Sequence, residues 1–226
     1  VTATARGPGS RDDSIPFFVD PPVYVVWMQT EPGFVSYVVD DFFDKPKGTA
    51  VLGFLSPIDA YIEALFQVQP GIRFGVSEAR HIDKRAFCAR DGRLAVALHL
   101  AWVAHNGLLL QRPSGRLCGL RRSMGRKPAP AGPARFEVDE ESLSELDIAH
   151  DLVGLFAWRE TSHAVPRWGP ERVYAMARQA ALSLKTMIRP ENLPTDEVQL
   201  SYFDPETEQW HFAPALHAMA AGLIHR

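Results

Sequence analysis

Eight histidines are spread along the 226 residues, and imidazole is the side chain that most readily binds a metal or carries a proton near neutral pH. Their spacings argue against a metal. His99 and His105 share a face if the residues between them form a strand, but six strand residues span about 20 Å, too far for one ion. On a helix, positions six apart do not share a face. Glu160-Thr161-Ser162-His163 offers a single Glu-x-x-His, whereas di-iron bundles use that pair twice with further glutamates. No metal and no cofactor is therefore expected. His81, Asp83, His99, His150 and Asp151 have the types for general acid–base work, but nothing in their spacing brings them together.

Ser56 stands between an apolar run and a helical stripe, where hydrolase nucleophiles also stand. Its setting is Gly53-Phe54-Leu55-Ser56-Pro57, not the Gly-x-Ser-x-Gly elbow. Pro57 also lacks the N–H that an oxyanion hole would use. Ser56 reads instead as a helix cap, with Pro57 at the first helical position and Asp59 suited to the positive end of the dipole. The sequence carries no phosphate-binding glycine loop, no dinucleotide pattern and no His-Glu-x-x-His.

Charge, by contrast, is arranged in blocks. Arg112 to Arg135 holds seven basic residues and no acid, and Glu137 to Asp151 holds seven acids and no Lys or Arg. A second acidic cluster, Asp40, Asp41 and Asp44, encloses Phe42 and Phe43. Aromatics inside a charged rim have the composition of an interface anchor. The same pair could equally be a strand end tucked into the core. The candidate partner-binding residues are thus Asp40, Asp41, Phe42, Phe43, Asp44, Glu140, Glu141 and Glu145, facing a basic protein such as a toxin or effector.

These groups must be held by an ordinary globular core. The apolar fraction is 46% and the charged fraction 23%, near the average for folded domains, so no disulfide or metal staple is required. A net charge of −3 excludes a nucleic-acid binder by bulk charge. No apolar stretch reaches the ~20 residues of a membrane span, and the first residues lack the apolar region of a secretory signal. Cys88 and Cys118 fit no zinc or redox spacing. They read as reduced thiols of a cytoplasmic protein, with a bridge between them left open. The oligomeric state is also left open.

The expected fold is α+β: a largely antiparallel sheet with one βα unit at residues 49–67, then a helical C-terminal half with a late hairpin. Residues 1–14 read as a disordered tail, 15–120 as the sheet-rich part, 121–135 as a basic Pro/Gly linker, and 136–226 as the helical part. Strands are expected at 23–28, 34–39 and 72–76. Residues 94–105 read as a long strand, with a helix as the alternative. Helices are expected from Asp139 to Trp158, with Leu143, Leu146, Ala149, Val153 and Phe156 as the buried stripe, and from Pro170, with a stripe reaching Ile188. Residues 198–203 and 209–212 form the late hairpin, and a short helix follows from Pro214.

The functional expectation is a non-enzymatic bacterial protein-binding protein, of immunity or effector-adaptor type, that presents an acidic surface. The alternative is a hydrolase or transferase whose site is assembled from the dispersed histidines and aspartates. A pocket in which two of them converge would favour the enzyme.

Overall fold

The computed structural model describes residues 21–31, 34–41, 49–67, 70–87, 94–126, 138 and 140–215. The strands are β1 (Tyr24–Glu31), β2 (Phe34–Tyr37), β3 (Val39–Asp41) and β4 (Thr49–Phe54), which leads into helix α1 (Pro57–Phe66). There follow β5 (Arg73–Glu78), two 3-10 turns at Ala79–His81 and Lys84–Phe87, then β6 (Leu94–His105), β7 (Leu108–Gln111) and β8 (Gly119–Arg126). The rest comprises α2 (Glu140–Asp151), α3 (Trp158–Ala164), α4 (Pro170–Ser183), β9 (Thr186–Ile188), β10 (Gln199–Asp204) and β11 (Gln209–Pro214). A mixed sheet of many strands with four helices among the described residues makes this the expected α+β fold.

The chain divides into two compact units that interleave along the sequence. Val1–Ser56, Val68–His99 and Arg121–Val138 make the first, and Pro57–Gln67, Leu100–Leu120 and Asp139–Arg226 the second. In the first unit β1 is antiparallel to β2, β4 and β5, and β4 is antiparallel to β3 and parallel to β6. Close packing there depends on two glycines. A Cβ at Gly53 would stand 2.9 Å from a Val23 methyl and 3.3 Å from one of Val96. One at Gly75 would meet the ring of Trp27, its cross-strand partner, at 2.2 Å.

In the second unit, the later half of β6 pairs with β10 and with β7, and β7 is parallel to β9. The β10–β11 hairpin falls in the expected place. The Asp204 carboxylate accepts the Glu206 backbone N–H and the Thr207 hydroxyl, a local device for starting a turn. Helices α1 and α4 pack together, with the edge of Tyr61 against Tyr174.

Residues 94–105 are strand, and they are buried on both faces, from Val96 and Ala97 to Ala101 and Trp102. This explains why alternation alone left the helix open: a strand covered on both sides needs no polar face.

Three expectations need correction. The linker expected from residue 121 begins too early, because β8 continues to Arg126. The helix expected over 139–158 stops at Asp151, and a second begins at Trp158. The helix from Pro170 stops at Ser183, and Ile188 lies in β9. Pro214 is the last residue of β11, and Ala215 is already helical, as expected of a last helix starting there. The tail at 1–14, residues 127–137 and most of the last helix fall outside the described residues.

Candidate functional site

The two acidic clusters fall in different units. Asp40 and Asp41 lie on β3, opposite Ala50 and Thr49 of β4. Phe42, Phe43 and Asp44 are outside the described residues. The second cluster opens α2. Glu140 and Glu141 are exposed in its first turn, where the helix dipole favours negative charge.

The faces of α2 can be assigned residue by residue. Ser142, Leu146 and Ala149 are buried, and Ala149 packs with Ala101, Leu200, Tyr202 and Ala215. Glu141, Glu145, Ile148 and Leu152 recur at spacings of four, three and four, so they share another face. Glu141 is exposed and Glu145 half-buried, while Ile148 and Leu152 are each 37% exposed. One face thus runs from acidic to apolar along the helix axis.

Its end is sharply made. Gly154 has φ +80°, a left-handed conformation that glycine adopts without strain. The Leu155 N–H donates to the His150 carbonyl at 2.9 Å and the Gly154 N–H to that of Asp151 at 3.1 Å. This is the Schellman pattern that closes helices. Beyond it Leu155 packs inward against the Tyr202 cluster, while Phe156 is 76% exposed. Phe156 was expected in the buried stripe; the left-handed Gly154 breaks the helical register before it.

Asp147 secures the following segment. It accepts the Trp158 indole N–H at 2.8 Å and the Arg159 Nε–H at 2.8 Å, and Arg159 also reaches Glu140 at 3.6 Å. The Arg159 guanidinium, aided by the Trp158 indole, holds the Asp147 carboxyl below the usual carboxylate range.

The acid–base candidates do not share one environment. His81 and Asp83 are exposed beside the 3-10 turns. His99 is buried in β6 against Phe54, with ring centroids 5.0 Å apart. Burial and the charge of Arg121 push its pKa well down, so it stays neutral. The His150 ring stacks on Trp158 at 4.6 Å and leans on Tyr202 at 4.3 Å, and its Nδ1–H donates to the Leu146 carbonyl. Burial lowers its pKa to about 4. Its neighbour Asp151 is exposed. Both histidines are therefore neutral at neutral pH, His99 in the core and His150 half-buried between Trp158 and Tyr202.

Two polar contacts were missed, that of Asp59, read only as a helix-start acid, and that of Glu63. The Asp59 Oδ1 accepts the Trp102 indole N–H at 2.8 Å, and burial pushes this carboxyl up to about 6. Asp59 also acts on Tyr202, whose buried hydroxyl has no hydrogen-bond partner among the described residues. One turn along α1, the fully buried Glu63 Oε1 accepts Arg116 Nε at 3.1 Å, Arg116 Nη2 at 2.9 Å and Gln67 Nε2 at 2.6 Å. Their only sequence signal was an acid every four residues on one helix, which also describes a solvated face.

Among the described residues no group of three His, Cys, Asp or Glu could hold a metal ion. No described helix is long and apolar enough to cross a membrane. Cys118 carries a buried free thiol, and Cys88 lies outside the described residues. No protein-family model, no curated protein and no solved structure matches the chain.

Proposed function

We propose that this is a non-enzymatic protein-binding protein, of immunity or effector-adaptor type, that holds a basic protein partner on the surface of α2. One observation carries the reading: Glu141, Glu145, Ile148 and Leu152 share a single helix face, acidic at one end and apolar at the other. Such a face joins the two parts of a recognition surface. Complementary charge speeds encounter and rejects wrong partners, while apolar contact slows release. The buried free thiol of Cys118 supports a reducing, cytoplasmic setting. Asp40 and Asp41 remain proposed as a second acidic contact, carried by their position on β3.

The test is charge reversal. Tagged full-length chain captures its partner from the native host, and association is then measured with the purified pair at several salt concentrations. In the Glu141→Lys, Glu145→Lys variant, association should slow at least tenfold at low salt, measured on protein whose circular dichroism matches that of the parent. Steering between opposite charges is screened over about 10 Å at 0.1 M salt, so raising the salt should close the gap between variant and parent. An association rate indifferent to both reversal and salt would remove α2 as the docking face.

A further inference from the structure

We propose that the outer edge of β9 docks an acidic, extended peptide segment of a partner protein, which adds to the sheet as a further strand. The inference stands on β9 alone and does not rest on the reading of α2.

β9 spans only Thr186–Ile188, but its bonding to β7 reaches one residue further at each end. The Leu109 N–H donates to the Lys185 carbonyl at 2.9 Å, and the Arg189 N–H to that of Gln111 at 2.8 Å. Leu109 stands opposite Thr186 and Gln111 opposite Ile188. In a parallel ladder, alternate residues turn their backbone groups to the same side. Lys185, Met187 and Arg189 therefore turn theirs towards β7, while Thr186 and Ile188 turn theirs to the opposite edge. Among the described residues β9 pairs with no other strand. Thr186 and Ile188 are both exposed, Ile188 by 54%. Their edge is thus an open template for another strand.

The side chains indicate what that strand carries. Along an extended chain they alternate between two faces, so Lys185 and Arg189 share one face about 13 Å apart. Half-buried Met187 lies between them, and Thr186 and Ile188 take the other face. Both cations are exposed, and neither makes an ion pair among the described residues. A strand laid on this edge shares both faces. Alternating acidic and apolar residues would set carboxylates beside Lys185 and Arg189 and aliphatic groups beside Ile188. Charges also keep a sheet edge from pairing with its own kind. A second copy of β9 would bring cations opposite cations, which is destabilising. The charges that exclude self-pairing thus select an acidic partner.

The probe is the peptide acetyl-Glu-Val-Glu-Val-Glu-amide, with acetyl-Lys-Val-Lys-Val-Lys-amide as its charge-reversed counterpart, each added to the full isotope-labelled chain. Amide exchange followed by NMR should slow at Thr186 and Ile188 when the acidic peptide binds. It should stay unchanged at Met187, whose N–H already faces β7. At low salt the acidic peptide should bind about tenfold tighter than the basic one, because two favourable cross-strand charge pairs replace two unfavourable ones. In the Lys185→Glu, Arg189→Glu variant the preference should reverse, an outcome that loss of the fold does not produce. Ile188→Pro removes an outward N–H and spares the ladder to β7, so it should weaken binding of the acidic peptide. Equal binding of the two peptides, or none of either, overturns the proposal. So does protection of the Thr186 and Ile188 N–H groups in the free chain, which would mean that the edge is already covered. Binding to phosphatidylglycerol vesicles that the double reversal abolishes, with no exchange protection by the peptide, would assign this surface to a membrane and also overturn it.

Discussion

Asp59 and His150 show how burial writes a pH response into single residues. In the folded protein Asp59 titrates at about 6 instead of 3.8, so folding favours its protonated form. Its contribution is fully present below pH 3.8 and is lost as pH rises through 6. His150 runs the other way. Its pKa falls from 6.5 to about 4, so its contribution is present above pH 6.5 and is lost as pH falls through 4. Each shift is worth at most ~3 kcal/mol, and between pH 4 and 6 the two slopes oppose each other. Asp59→Asn should therefore lose stability relative to wild type on acidification from pH 6.5 to 4. His150→Phe should gain it over the same range. Urea midpoints across the pH series measure both, and two profiles parallel to wild type would show that neither group titrates as its burial implies. Neither response is legible in the sequence, because a residue's type gives its ordinary pKa while its depth and neighbours set the shift.

At the scale of elements, local signals were reliable where the physics is local. Ser56-Pro57 opened a helix, and Val198 to Phe212 made a hairpin across a turn of polar residues, because caps and turns depend on residues a few positions apart. Helix ends were less legible. The stripe from Leu143 to Phe156 kept helical spacing, yet one left-handed glycine ended the helix and turned Phe156 outward. The β1–β5 pair makes a different demand. Trp27 lies over Gly75 across the ladder, and a Cβ there would come within 2.2 Å of the indole ring. Gly75→Ala should force the ring aside and cost ~1–3 kcal/mol, the usual range for overpacking. Thermal melting checks this, and an unchanged melting temperature would mean that Trp27 has room to move.

For the molecule as a whole, the second unit gathers α1, the turn after β7 and residues from Asp139 onward. Glu63 and Arg116, fifty-three positions apart, join two of those segments through a fully buried carboxylate. Arg116→Ala should leave that carboxylate uncompensated and cost ~3–5 kcal/mol, whereas replacing both partners by apolar residues of similar volume should cost far less. Denaturant unfolding of the single and double variants tests this, and equal losses would show that packing, not charge, holds the contact. Periodicity, turn residues and caps determined by themselves that this chain is α+β, that residues 49–67 form a strand and a helix, and that a hairpin closes the described chain. They also marked α2 as acidic. Only the tertiary structure decided that β4 and β6 run parallel, that the units interleave, that His99 is core and His150 stacked on Trp158, and which face of α2 is left to solvent. The physical reason is range. A cap or a turn is fixed by neighbours along the chain, whereas burial is fixed by whatever the fold brings alongside, and residues as distant as Asp59 and Trp102 leave no mark of their meeting on either local sequence.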